Sequence, residues 1–167
     1  LQLDFFESLK VLKIAQTLKD SVLLTTGYNF VGLAYSNIGE YKKAIPFFYK
    51  GIPYAKQPPY DTKYQVASKP HHLYGNLAES YYFIGLYDSA LVNATRSLNK
   101  AKEIKVMRGT AVALDLIGLI HHALHHYDSS IFYHLQAYDM GINSNEKDVS
   151  LVACAGAADS YLARGDS

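Results

Sequence analysis

The sequence predicts an all-α protein, a right-handed superhelix of antiparallel helix pairs, on three observations. Similar residues recur along the chain at a period typical of stacked repeats. The segments around each recurrence are apolar at helical spacing. Glycines separate the two helices of a pair, where a left-handed backbone closes a short turn. The recurring sets are Tyr35, Gly39, Tyr41 and Ala44; Tyr81, Gly85, Tyr87 and Ala90; His121, His125, Tyr127 and Ser130; and Tyr161 and Gly165, with steps of 46, 40 and 40 residues between their first members.

The whole chain is interpreted as a single repeat array. A unit of two helices cannot bury its apolar stripes alone, so neighbouring units must stack. The predicted divisions are 1–20, the second helix of a preceding repeat; 21–57, a repeat; 58–69, a loop; 70–108 and 109–147, two further repeats; and 148–167, the first helix of a truncated repeat.

Prolines mark the predicted irregularities of the array. Pro46 and Pro53 fall within the second helix of the first repeat, where each removes a backbone donor, so we expect a kink or a broken turn there. Pro58 and Pro59 lie in the loop. Beyond the loop, Ser68 is a suitable helix cap and Pro70 fits the first turn of the next helix.

Alignment of the units predicts the core. Tyr35, Tyr81 and Tyr161 share one position and should be mostly buried between helices, and Cys154 should be a small buried residue. Small residues recur in two registers where helices must approach closely. These are Gly32, Ala78, Gly118 and Ala158 in one register, and Ala44, Ala90 and Ser130 in the other.

These residues resemble the tetratricopeptide repeat, whose pattern is a large residue, Leu-Gly, Tyr, Gly, Tyr, Ala, a large aromatic and a final Ala. The resemblance implies an α-solenoid. Units of 40 residues are longer than that family's usual 34 and are similar to those of bacterial sensor kinases and transcription regulators. The matches are Tyr28, Val31-Gly32, Tyr35, Gly39, Tyr41, Ala44 and Phe48; Tyr74, Leu77-Ala78, Tyr81, Gly85, Tyr87 and Ala90; and Leu114, Ile117-Gly118, His121, Tyr127 and Ala137, with His125 and Ser130 replacing glycine and alanine.

Composition excludes several classes of protein. The 167 residues carry 16 basic and 15 acidic side chains, a net charge of +1, so no strong field attracts nucleic acid or an anionic membrane. One cysteine excludes an internal disulfide framework. No apolar stretch is long enough for a membrane span, and no signal peptide opens the chain. We expect the chain to be a piece of a longer protein, from either the periplasm or the cytoplasm.

Histidines are the residues of this sequence that most suggest a metal site. His122 and His126 stand four residues apart on a helix, a spacing that can chelate zinc. The favoured interpretation is a packed and surface set without metal, because His121 occupies the tyrosine register and no cysteine or well-placed carboxylate completes a site. His71 and His72 open a helix and are expected at the surface. Since no catalytic motif is present either, we expect no enzyme activity and no cofactor.

The resemblance places the first helix of each unit on a concave face, and aligned positions there mix polar and apolar character, as peptide-binding grooves do. The lysine and arginine pattern by which some family members clamp a terminal carboxylate is absent. The expected partner is therefore a protein or peptide segment bound in this groove. The candidate partner-binding residues are Asn29, His72, Glu79, Tyr82, Asp115 and His122.

The expected function is a non-enzymatic interaction or sensory module of a bacterial signalling protein. Two alternatives remain open. One is a structural scaffold that oligomerises through the ends of the array. The other is an enzyme, a phosphatase-like regulator. The helix predicted at Val149–Ala163 carries an apolar face without a second helix to cover it, so we expect the chain to self-associate or fray there. In the full protein we expect a further repeat to continue from Asp166.

Overall fold

The computed structural model describes residues 5–55 and 69–165, and within these ranges the chain is helical without a β-strand. The prediction of an all-α fold is confirmed. A single 3₁₀ turn, Ile52–Tyr54, follows the third helix. The helices are α1 (Phe5–Leu18), α2 (Ser21–Asn37), α3 (Tyr41–Gly51), α4 (Pro70–Phe83), α5 (Tyr87–Glu103), α6 (Met107–Ala123), α7 (Tyr127–Asn143) and α8 (Lys147–Arg164).

Each helix packs mainly against the helices before and after it in the chain. The first helices of successive units (α2, α4, α6 and α8) also contact one another. The core is divided into clusters between neighbouring helices. No helix in the described ranges is long and apolar enough to cross a membrane.

Five of the inter-helix turns share one geometry. Each has three residues, and the middle one takes a left-handed backbone, with φ between 56° and 78°. In the first, the Gly39 N–H donates to the Ser36 carbonyl at 2.9 Å and the next N–H to the Tyr35 carbonyl at 3.0 Å, the pattern of a Schellman motif. Lys105, His125 and Asn145 occupy the middle position where the other two turns have glycine, so the turn predicted at His125 is confirmed.

The helix α2 begins before the first residue of the apolar pattern that predicts it. The pattern begins at Tyr28, but α2 begins at Ser21. Asp20 explains the difference, because its Oδ1 accepts from the backbone N–H groups of Val22 and Leu23 at 2.8 and 3.0 Å and satisfies donors that a helix start leaves unpaired.

The two prolines predicted within the second helix of the first repeat affect that helix differently. Pro46 lies inside α3 and does not end it, whereas α3 ends at Gly51 and Pro53 falls in the 3₁₀ turn that follows. The broken turn expected at Pro53 is therefore present. Pro70 is the first residue of α4, as predicted. Ser68, and the loop prolines Pro58 and Pro59, lie outside the described residues.

The recurring small residues make room for large ones across the helix pair. A Cβ added to Gly32 would stand 2.4 Å from the Phe48 ring, so only glycine allows this fully buried ring to pack there. In the next unit the same two positions are Ala78 and Ala94, both fully buried. A change of volume on one helix is thus matched by the opposite change on its partner.

Two core predictions are wrong. Cys154 is exposed, and Tyr161 is 37% exposed, whereas Tyr35 and Tyr81 are partly buried. The reason is the position of α8, which packs against α6 and α7 and leaves its other side to solvent. Ala158, on the same helix, is exposed as well.

Candidate functional site

A cavity of about 400 Å³ lies between the first helices of two successive units, α4 and α6. Ser97 of α5 and Val106, just before α6, complete its wall. The other lining residues are His71, His72, Gly75, Asn76 and Glu79 from α4, and Arg108, Gly109, Val112, Asp115, Leu116 and Leu119 from α6. Three of the six predicted partner-binding residues, namely His72, Glu79 and Asp115, are therefore brought together.

One wall of the cavity is apolar. Val112, Leu116 and Leu119 follow one another at intervals of four and three residues, which places them on one face of α6. Val112 and Leu119 are exposed, and Leu116 is half-buried. A ligand bound in the cavity would cover these side chains, and removing their apolar surface from water would favour binding.

Two carboxylates face the cavity from opposite sides, Glu79 on α4 and Asp115 on α6. Partial desolvation raises the pKa of Glu79 above its ordinary value. Asp115 is fixed in place, because its Oδ1 lies 2.7 Å from Nδ1 of His134 on α7. The site thus combines one partly desolvated carboxylate with a second one held by a hydrogen bond.

His134 lies deep in the core between α6 and α8. It is 1% exposed, and a Cβ on Gly118 or on Gly156 would stand within 2.9 Å of its ring, so glycine on both neighbouring helices makes room for it. Its Nε2 is shielded from solvent and has no hydrogen-bond partner among the described residues.

The two histidines at the start of α4 differ. His71 is 3% exposed, so the expectation that it lies at the surface is wrong, while His72 is exposed as predicted. The ring of His71 packs on the backbone of Gly109, since a Cβ there would stand 2.8 Å from it. The carbonyl of His71 accepts from Ser97 Oγ at 2.8 Å. Both ring nitrogens of His71 are shielded and have no hydrogen-bond partner in the described part of the chain.

Both of these histidines are neutral at pH 7. Burial lowers the pKa of His71 to about 4, with smaller contributions from the nearby His72 and Lys69. Burial and Lys69 also lower the pKa of His72. The Nδ1 of His72 accepts from the backbone N–H of Lys69 at 3.2 Å, so its Nε2 carries the proton.

The arginine at the edge of the cavity is already occupied. The guanidinium of Arg108 makes an ion pair with Asp148 at 2.6 Å and a second with Glu146, both at the start of α8. The contact with Arg108 lowers the pKa of Asp148 to about 2 and raises that of the guanidinium. With its charge matched by two carboxylates, Arg108 does not offset the negative charge of Glu79 and Asp115.

The other three candidate residues lie away from the cavity or behind it. Asn29 is 5% exposed, and its Oδ1 accepts from Nδ2 of Asn76, a lining residue, at 2.8 Å. Tyr82 packs against aromatic rings at the end of α4. His122 Nδ1 lies 2.9 Å from Ser160 Oγ on α8. Asn29 therefore lies behind the cavity wall, where it holds Asn76. Tyr82 and His122 lie near the C-terminal ends of α4 and α6.

The histidine cluster at the end of α6 is a packing feature in this structure. The ring of His121 stacks on Tyr133 with centroids 5.4 Å apart, and His126 lies beside it. Nδ1 of His125 is 2.9 Å from the Tyr127 hydroxyl. Across residues 5–55 and 69–165, no three histidine, cysteine or acidic side chains are grouped as metal ligands.

The sequence contained signals for some of the residues that the candidate set omits. Val112, Leu119 and Gly75 occupy aligned positions on the first helices, and their spacing relative to Asp115 and Glu79 places them on the same faces. His71 carried no such signal, because two adjacent histidines look alike in sequence. The contact from Arg108 to α8 spans 40 residues and has no local signature.

Neither a protein-family model nor a curated protein shows a significant match to this sequence.

Proposed function

We propose that this chain is a non-enzymatic interaction module, an array that resembles tetratricopeptide repeats and binds an extended segment of a partner protein. In this proposal the stack forms a right-handed superhelix with α2, α4, α6 and α8 on its inner side. The mutual contacts of these helices support it, because elements on the inside of a curve approach one another most closely. A sensory role in a bacterial signalling protein is the biological context that the repeat length favours.

The observation that carries the proposal is the cavity between α4 and α6. It joins an exposed apolar wall to carboxylate, amide and imidazole groups within about 400 Å³. That volume suits one or two side chains of a peptide rather than a folded domain. Peptide grooves combine apolar surface for affinity with a few fixed polar groups for specificity.

A variant that fills the cavity tests the proposal. Gly75 lines it, and an added Cβ would stand 3.4 Å from Ser97 Oγ, an ordinary van der Waals contact. Leucine at this position extends into the cavity and also improves the helix propensity of α4 by about 0.5–1 kcal/mol. Gly75→Leu should therefore block binding without loss of stability.

The binding assay uses peptides selected from a random library displayed on phage against the wild-type chain. Selected peptides should bind the wild type and the control Asn99→Leu, at an exposed position of α5, but should lose affinity for Gly75→Leu. Peptides that bind all three proteins equally would remove the cavity from the proposal.

A second candidate function, a scaffold that self-associates, is favoured by one observation on α8. Leu151, Val152 and Leu162 are 73%, 58% and 67% exposed, and an apolar face of this kind pairs with another surface in many assemblies. The occupant in this case is α8 of a second copy. Sedimentation velocity should then show a dimer that Leu151→Gln dissociates, and a monomer at all concentrations would contradict it.

A further inference from the structure

We infer that the cavity between α4 and α6 recognises a basic side chain, arginine or lysine, next to an apolar residue of the bound segment. The inference rests on the proposed function and adds the chemistry of the ligand. Its basis is the juxtaposition of Glu79 and Asp115 beside the apolar wall of α6.

The charge around the cavity is unbalanced. Glu79 on α4 and Asp115 on α6 bring two carboxylates to its walls. His71 and His72 add no positive charge at pH 7. Arg108 is matched by its two carboxylate partners. Lys69, at the start of α4, lies near His71 and His72. Among the described residues that line the cavity, the two carboxylates therefore favour a cationic ligand.

The apolar wall decides which cations fit. Arginine and lysine carry three or four methylene groups that pack along apolar surface while the charged end reaches polar groups. Val112, Leu116 and Leu119 offer such a surface beside the two carboxylates. A guanidinium also has enough donors to serve two carboxylates at once. A bare metal ion would use the carboxylates without covering this wall.

His71 gives an independent indication that the cavity receives a polar group. It lines the cavity while 3% exposed, and both of its ring nitrogens lack a partner among the described residues. A neutral imidazole has one donor and one acceptor, and a peptide group has the complementary pair. A rotation of this ring toward the cavity would let the backbone of a bound segment satisfy it.

The experiment compares fluorescent peptides that differ at one side chain. Peptides selected against the wild type are remade with arginine, lysine, citrulline or glutamate at the position under test. Citrulline keeps the shape of arginine and removes its charge. Arginine should bind about tenfold tighter than citrulline, and glutamate should bind weakest. The preference should weaken as salt rises from 0.05 to 0.5 M.

Variants of the protein assign the preference to the two carboxylates. Glu79→Gln and Asp115→Asn should each weaken the arginine peptide about 5- to 10-fold and leave the citrulline peptide nearly unchanged. Asparagine at 115 retains an acceptor for His134, so the core contact survives. Asp139→Asn, at an exposed position of α7, is the matched control and should change neither affinity.

The outcomes separate this inference from the proposed function. If peptides lose affinity for Gly75→Leu but bind equally with arginine and citrulline, the cavity binds peptides and the inference of basic recognition is overturned. If arginine is preferred but Glu79→Gln and Asp115→Asn have no effect, the carboxylates are not its source and the inference is overturned as well. If Gly75→Leu binds every peptide normally, the proposed function itself fails.

Discussion

Burial of His71 should make the protein sensitive to mild acid. The pKa of this histidine is about 4 in the folded chain against 6.5 in an unfolded one. Because the folded state resists protonation, the stability linked to His71 is complete above pH 6.5 and is lost as the pH falls from 6.5 toward 4. At pH 5 the loss is about 2 kcal/mol, and at pH 7.5 it is close to zero.

Two substitutions separate the charge of His71 from its unpaired polar atoms. His71→Leu and His71→Asn both remove the titration, so each should gain about 2 kcal/mol relative to wild type between pH 7.5 and pH 5. Leucine also removes two unpaired buried nitrogens, which should add about 1 kcal/mol at either pH. Asparagine keeps polar atoms at the site and should not show this second gain.

The assay is urea unfolding of the three proteins at pH 7.5 and pH 5, followed by circular dichroism. Other groups that face His71 are His72 and Lys69 on its own segment and Arg108 at the start of α6. They are common to all three proteins, so their effects largely cancel in the differences. If the difference between wild type and His71→Leu is the same at the two pH values, His71 is not held neutral by burial and the reasoning is refuted.

Three further substitutions test the packing. Lys105→Gly should raise the free energy of unfolding by about 0.5–1 kcal/mol, because Lys105 holds a left-handed backbone that glycine adopts without strain; a loss of stability on urea unfolding would contradict this. Gly118→Ala should destabilise the fold by about 1–3 kcal/mol, because the added Cβ would stand 2.9 Å from the ring of His134. An unchanged melting temperature would show that the ring can move away. Tyr81→Ala should lower the free energy of unfolding by about 2–4 kcal/mol. Tyr81→Phe removes only the hydroxyl, which lies 3.3 Å from that of Tyr49, and should lower it by less than about 1 kcal/mol. Equal losses for the two variants would mean that the ring contributes little to stability.

Much of the helical layout is visible in the sequence because it depends on local signals. Helical spacing of apolar residues indicates the helices, and Gly39 and Gly85 indicate two of the five three-residue turns. His125 could be placed in a turn only through the repeat alignment, since histidine itself carries no turn preference of that strength. The starts of helices were less accessible, as with α2, which the side chain of Asp20 extends back to Ser21.

The burial of a side chain was harder to predict where it depends on which helix packs beside it. Tyr161 and Cys154 occupy repeat positions that are partly or fully buried in other units, but the outer side of α8 has no neighbour among the described residues. His71 is buried because Gly109, 38 positions further along the chain, leaves room for its ring. Neither outcome follows from the residue and its immediate neighbours.

The candidate site was predictable in part for the same reason. His72, Glu79 and Asp115 were found because aligned positions on the first helices face one side. The contribution of His134 could not be found this way, because it reaches Asp115 from the other helix of the unit. The contact that holds a carboxylate in place can thus come from another helix, and it is visible only when the helices are packed.

The central claim is that a basic peptide binds between α4 and α6. The most direct test is an NMR titration of the ¹⁵N-labelled protein with an arginine-containing peptide selected against the wild type. The amide resonances of Gly75 and Gly109, which line the cavity, should shift together with those of Glu79 and Asp115, and Gly75→Leu should abolish the shifts. Shifts confined to α7 or the exposed face of α8 would contradict the claim.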